Sequence, residues 1–170
     1  MINNKNLDYE ILRLIEAQPE ISERDIASSL SVPEELIKIR IANLKDTRQK
    51  ILIMGDGNST CNIKATLEAE NYNVVKIPGG FSALEAVKTE KPDLVLLDTG
   101  LADLEDFKIC KQLRTSSRYW WIPVMVLSER GEVENRVKAF ESGVDDYITT
   151  PFNPVEIRAR VGMILKRTQI

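Results

Sequence analysis

Two aspartates stand directly after apolar runs, Asp56 two residues beyond ILIM and Asp98 immediately after LVLL, and Ser128 follows VMVL in the same way. A carboxylate so placed can act as a nucleophile, hold a divalent cation, or simply cap a turn at a strand end. The chain has no histidine. That removes Ser-His-Asp catalysis, histidine-ligated metals and any phosphohistidine carried by this chain. If phosphoryl chemistry happens here, carboxylates do it. Cys61 and Cys110 are far apart, without CxxC or metal-ligand spacing, and read as free buried thiols.

From residue 50 onward, apolar runs alternate with amphipathic stretches, the pattern of a parallel α/β sheet. Strands are expected at 50–54, 73–77, 93–97, 123–127 and 146–149, and helices at 59–71, 81–90, 104–116, 132–142 and 154–167. LVLL and VMVL are continuously apolar, as strands covered on both faces should be. Residues 1–47 instead predict three short helices and no strand, so the expected domains are 1–47 and 50–168. Leu7, Ile11, Leu14 and Ile15 form one stripe; Ile26, Ala27 and Leu30 a second; Ile37, Ile41 and Leu44 a third. Ser22 with Asp25 reads as a capping box, and Pro33 suits the first turn of the third helix. The link 45–49 is too short to be a mobile tether.

A net charge of -3, from 23 Lys+Arg and 26 Asp+Glu, argues against a dominant attraction to nucleic acid or anionic membrane. No apolar run approaches the roughly 20 residues of a membrane span. MINNKNLDYE has neither a basic nor an apolar leader region, so a cytoplasmic location with no membrane partner is expected.

ILIMGDGNST, KPDLVLLDTGLADLEDFKICKQLR, IPVMVLSERGE and ESGVDDYITTPFNPVEIRARV, in this order, resemble the response-regulator receiver family of two-component signalling, closest to its OmpR-like subfamily. The resemblance covers about 120 residues with every landmark in order. It implies a flavodoxin-like (βα)5 doubly wound sheet of order 2-1-3-4-5, with the site beyond the carboxyl ends of the strands and a small all-α domain ahead of it. It assigns Asp98 as phosphoacceptor, Asp56, Asp98 and Gly100 as Mg²⁺ positions, and Ser128 and Tyr147 as the switch pair. It also implies a cis Thr150–Pro151 bond and a histidine kinase as partner.

Four positions depart from the family pattern: Gly55 replaces its first acid, Thr150 its lysine, Asp106 a glycine, and Glu129 a small residue. Two carboxylates with water can still hold Mg²⁺, but weakly. The missing lysine removes a charge-assisted hydrogen bond worth about 1.5–3 kcal/mol. Glu129 would repel an anion if it points inward. The departures imply a pseudo-receiver, in which Gly55→Asp with Thr150→Lys would restore Mg²⁺ affinity and labelling of Asp98.

The subfamily's dimer face, the fourth helix, fifth strand and fifth helix of this domain, matches Arg136, Lys138, Asp145, Asp146, Glu156, Arg158 and Arg160. Val137, Phe140 and Val161 are its apolar candidates if they reach the surface, and a homodimer is expected. ISERDIASSLSVPEELIKIRIANL resembles bacterial helix-turn-helix modules, which implies transcription regulation through DNA contacts by Lys38, Arg40 and Lys45, joined by Arg48 and Lys50. The outward positions Glu35, Lys38, Ile39 and Ala42 make a poor groove reader, so a protein-interaction adaptor stays open beside DNA binding. GDGNST also resembles a flavodoxin phosphate loop, a remote FMN-binding alternative resting on six residues. A haloacid-dehalogenase phosphatase would need a second aspartate where Asn58 stands. No enzymatic activity is expected. Trp120 and Trp121 read as a packed lid on the sheet edge.

Overall fold

The computed structural model describes residues 6–55, 60–78, 82–100 and 104–168. The chain divides into two compact units, Met1–Thr47 and Arg48–Ile170.

The first unit holds α1 (Leu7–Ala17), α2 (Glu23–Leu30) and α3 (Glu34–Lys45). Each contributes a stripe to one core of Leu7, Ile11, Ile26, Ala27, Leu30, Ile37 and Ile41, with Leu14 and Ile15 half-buried against it. The Ser22 hydroxyl caps α2, accepting from the Asp25 N–H at 3.1 Å and donating to the Asp25 carboxylate at 2.6 Å. Ser31 turns the chain in the left-handed region, φ 53°, and Val32 N–H closes the helix end on the Ala27 carbonyl at 3.1 Å. Two expectations shift. Pro33 stands one residue ahead of α3 as its N-cap, with ψ 137°, where an extended residue lacking an N–H costs nothing. Leu44 is 37% exposed, because the core stripe of α3 stops at Ile41 and the last turn stands in solvent.

The second unit runs β1 (Lys50–Met54), α4 (Thr60–Ala69), β2 (Asn73–Ile77), α5 (Ala83–Glu90), β3 (Leu94–Gly100), α6 (Leu104–Thr115), β4 (Val124–Ser128), α7 (Val133–Glu141), β5 (Asp146–Thr149) and α8 (Pro154–Arg167). The strands form one parallel sheet, β2-β1-β3-β4-β5, the order the resemblance implies. Side chains alternate between its faces with period two. Leu52, Met54, Val95, Leu97, Val124 and Val126 pack under α5 and α6 with Phe107, Cys110 and Leu113. Ile51, Ile53, Leu94, Leu96, Met125 and Leu127 pack under α4 and α8 with Ile63, Leu67, Ile157 and Val161. Continuous apolar runs thus follow from burial on both faces.

Asp93 lies outside β3 and spends its carboxylate on the Lys50 N–H at 2.7 Å. Pro123, which has no N–H to give the ladder, precedes β4 and accepts from Val95 N–H at 3.0 Å. Parallel strands bring all their carboxyl ends to one edge, where Gly55, Asp98, Ser128 and Thr150 gather.

Candidate functional site

Asp98, 5% exposed, sits where β3 breaks its register: Asp98 opposes Leu127, but Gly100 opposes Ser128. One residue, Thr99, is extra, and its hydroxyl donates to the Leu127 carbonyl at 3.0 Å. Such a bulge re-aims the side chains beside it.

Gly55, at the end of β1, has φ +133° and donates its N–H to the Ile77 carbonyl at 3.2 Å. A β-carbon there would lie 2.9 Å from the Asp98 carbonyl carbon and closer still to its oxygen. The loop after β1 therefore crosses the backbone of Asp98 at a distance only glycine allows. This corrects the expectation that an acid at position 55 would rebuild the site. Asp56, the expected metal carboxylate, lies outside the described residues, as does the side chain of Asp106. Gly100 is the last residue of β3. No group of three or more His, Cys, Asp or Glu able to hold a metal occurs among the described residues.

Ser128 and Tyr147, the expected switch pair, converge on one residue. Ser128, fully buried, accepts from the Arg130 N–H at 3.1 Å, and the hydroxyl of buried Tyr147 donates to the Arg130 carbonyl at 2.6 Å. Sequence reading missed Arg130, because its backbone does this work and any residue type supplies a backbone. Thr150 donates its N–H to the Ser128 carbonyl at 2.8 Å, and Thr150–Pro151 is cis as expected. Glu129 is exposed, so the condition for its repelling an anion from inside the pocket is not met.

The charges expected on the dimer face divide. Arg160 binds Asp146 at 2.9 and 3.1 Å and Glu156 at 2.8 and 3.0 Å. Hydrogen bonds from Glu156 and then Asp146 hold its guanidinium above the ordinary arginine range. Arg136 and Lys138 are exposed on α7. Asp145 turns to Arg114 at 2.6 Å and the Val124 N–H at 2.8 Å, and Arg158 turns to Glu70 at 3.0 Å. These two are thus engaged within the chain, a geometry set by partners 31 and 88 residues away. Val161 is fully buried under the sheet and offers nothing to a surface. Val137 and Phe140 are 46% and 49% exposed, and Val133 extends their stripe by one turn.

In the first unit, Lys38 pairs with Glu34 at 3.1 Å and Arg40 with Asp8 at 3.4 Å, while Lys45 is exposed. The Glu34 carboxylate holds Lys38 above the ordinary lysine range and is itself held low. Lys38 and Arg40, two of the expected DNA contacts, are thus each paired with a carboxylate of their own unit.

Residues 51–162 match the family described as response regulator receiver domain. The chain is similar to the alkaline phosphatase synthesis transcriptional regulatory protein PhoP of Bacillus subtilis, 39% identical over 72% of this chain and 50% of that protein. It is similar also to the DNA-binding dual master transcriptional regulator RpaA of Synechocystis, 34% identical over 70% of this chain and 50% of that protein. Among solved structures, a putative response regulator from Chloroflexus aurantiacus superposes with TM-score 0.64 at 26% identity, covering 71% of this chain and 99% of that one. The BeF3-activated N-terminal receiver domain of Klebsiella pneumoniae RstA gives TM-score 0.61 at 32% identity, covering 69% and 99%. The chain spans about half the length of the curated relatives it matches.

Proposed function

Because this chain belongs to the response regulator receiver family of two-component signalling, we propose that it is an atypical member whose receiver is weakly or not phosphorylated and which regulates transcription through dimerisation. The observation that carries this reading is the passage of Gly55 across the Asp98 backbone, which leaves no room for the family's first acid. Thr150 supplies a hydroxyl where the family has a cation. Mg²⁺, which the family implies, would be held by the carboxylates of Asp98 and Asp56, with water completing the octahedral oxygen shell that such hard cations want. Asp98 is the phosphoacceptor if a histidine kinase ever uses the site, and Ser128 and Tyr147 read its state through Arg130.

Dimerisation rests on α7–β5–α8. Val133, Val137 and Phe140 give that face an exposed apolar stripe, which ion pairs alone could not replace, since exposed pairs contribute about 0–1 kcal/mol each. Arg136, Lys138 and the Arg160–Asp146–Glu156 cluster form its charged rim. Charge reversal at Arg160 is a poor test, because Arg160 and Asp146 already pair within one chain and a double reversal would restore that pair in a monomer. Val137→Glu tests the face directly. The expected result is a dimer at tens of micromolar for wild type and a monomer for the variant, a loss of about tenfold or more in association, read by sedimentation equilibrium. A monomeric wild type, or a variant that dimerises equally well, removes this face.

The named relatives are transcriptional regulators, and by analogy the helical unit Met1–Thr47 is the DNA-directed output, with Lys38, Arg40 and Lys45 toward phosphate. A second reading, a protein-interaction adaptor, is favoured by the Lys38–Glu34 and Arg40–Asp8 pairs. A gel shift with genomic fragments separates them, because phosphate contacts make DNA affinity fall steeply with salt.

A further inference from the structure

Trp120 and Trp121, expected as a packed lid at the amino-terminal edge of the sheet, are instead 61% and 50% exposed. The carboxyl edge is held far more closely. There β3 carries one residue more than β4: Asp98 opposes Leu127 and Gly100 opposes Ser128, with Thr99 between them. The extra residue of a bulge is left outside the ladder, so the strand beside it loses definition unless another group ties it down. Here a side chain does so. The Thr99 hydroxyl, half-buried, donates across to the Leu127 carbonyl at 3.0 Å.

The acceptor follows from the register. Val95 donates its N–H to the Pro123 carbonyl, and by the two-residue repeat of a strand the Leu127 carbonyl falls due to the residue opposite Ser128. In an unbroken register that residue would be Thr99. The bulge puts Gly100 there, and Thr99 reaches the same carbonyl through its side chain. Threonine suits the post, because its branched β-carbon restricts χ1 and holds the hydroxyl in few directions.

The groups on either side of this tether are those of the site. Asp98, the neighbour before Thr99, is buried, and its carbonyl carbon lies 2.9 Å from where a β-carbon on Gly55 would stand. The Asp98 peptide is therefore confined on the β1 side by Gly55 and on the β4 side by the Thr99 hydroxyl. Leu127, the acceptor, directly precedes Ser128, whose Oγ accepts from the Arg130 N–H at 3.1 Å. One hydrogen bond thus fixes the segment that carries Asp98 against the segment that carries Ser128. Mg²⁺ demands near-ideal octahedral geometry, so the direction of a ligating carboxylate matters to it. Groups that orient a ligand from behind tune metal affinity.

On the reading that Asp98 and Asp56 hold Mg²⁺, we propose that Thr99 is a positioning residue for that cation. Its hydroxyl ties the β3 bulge to β4 and so holds the Asp98 carboxylate in the direction the cation requires. Thr99 acts only through Asp98.

Mn²⁺, which takes the same oxygen donors, is the probe: it is titrated into the full chain and the free ion is read by electron paramagnetic resonance. Binding at the pocket is the part that Asp98→Asn abolishes. Thr99→Val keeps the branched shape and loses the hydroxyl; Thr99→Ser keeps the hydroxyl. Thr99→Val should weaken Mn²⁺ binding about threefold to tenfold, the effect of one hydrogen bond, and Thr99→Ser should bind as wild type does. In the metal-free chain, amide hydrogen exchange at Thr99 and Gly100 should quicken in Thr99→Val while Leu52 and Ile53 of β1 exchange as before, the mark of a local loosening. A Thr99→Val protein that binds Mn²⁺ as tightly as wild type overturns the proposal. So does a loss that Thr99→Ser shares, or one accompanied by faster exchange throughout β1, which would reduce Thr99 to a contributor to global stability. A wild type without Asp98-dependent Mn²⁺ binding overturns it too, and identifies the metal reading itself as the part that failed.

Discussion

Gly55→Asp is expected to destabilise the receiver unit by about 2–6 kcal/mol, instead of rebuilding a metal site. Two effects add. A side chain at φ +133° is strained by about 1–3 kcal/mol. A β-carbon overlapping the Asp98 carbonyl forces a backbone shift, an overpacking cost of about 1–3 kcal/mol. Gly55→Ala should lose nearly as much, because the β-carbon and not the charge makes the collision. Urea denaturation followed by circular dichroism measures both losses as a lower midpoint at unchanged slope. A Gly55→Asp protein as stable as wild type would mean that the loop moves freely away from Asp98. Thr150→Lys is then the half of the restoration that the backbone permits.

Arg114→Met should cost about 2–4 kcal/mol, the second large effect. The guanidinium donates to the Gly143, Trp120 and Ile122 carbonyls at 2.9, 2.8 and 2.7 Å and to Asp145 at 2.6 Å. Gly143, at φ +96°, lies so close that a β-carbon would be 2.7 Å from the Arg114 side chain. Each orphaned partly buried carbonyl costs about 1 kcal/mol, with less for the half-exposed Asp145. Arg114→Lys should rescue little, since one ammonium cannot span four acceptors set in a planar fork. The midpoint of urea unfolding is the readout. A loss under 0.5 kcal/mol on the order-of-magnitude scale of ordinary surface changes, ~0.5 kcal/mol, would show that the network is decorative.

The fold was legible because burial imposes a pattern. Leu94–Leu97 and Val124–Leu127 are covered on both faces and read as unbroken apolar runs, which locates β3 and β4 and so Asp98 and Ser128 at their ends. The helical unit showed itself through three stripes, and all seven residues of its core belong to them. What stayed hidden depends on groups that carry no sequence signature. Arg130 matters through its backbone N–H and carbonyl, and Arg114 mostly through carbonyls of residues whose identity is irrelevant to the bond. Asp145 and Arg158 looked available as surface charges because their partners lie far along the chain. Whether Val161 reaches the surface stays open in the sequence, since a helix with apolar residues on more than one flank does not reveal which flank meets the sheet; in the fold it is buried. Gly55 read as a lost acid; only the approach of two strand ends shows that the position excludes any side chain.

The most direct test of a degraded phosphorylation site is intact mass spectrometry of the full chain after incubation with acetyl phosphate and Mg²⁺, beside an Asp98→Ala control. The missing cationic donor alone corresponds to about a ten- to hundredfold loss in rate or equilibrium. The account predicts that most of the wild-type chain keeps its original mass, with at most a minor species heavier by one phosphoryl group and absent from the control. A wild type converted wholly to the heavier species, while Asp98→Ala stays unchanged, would contradict it.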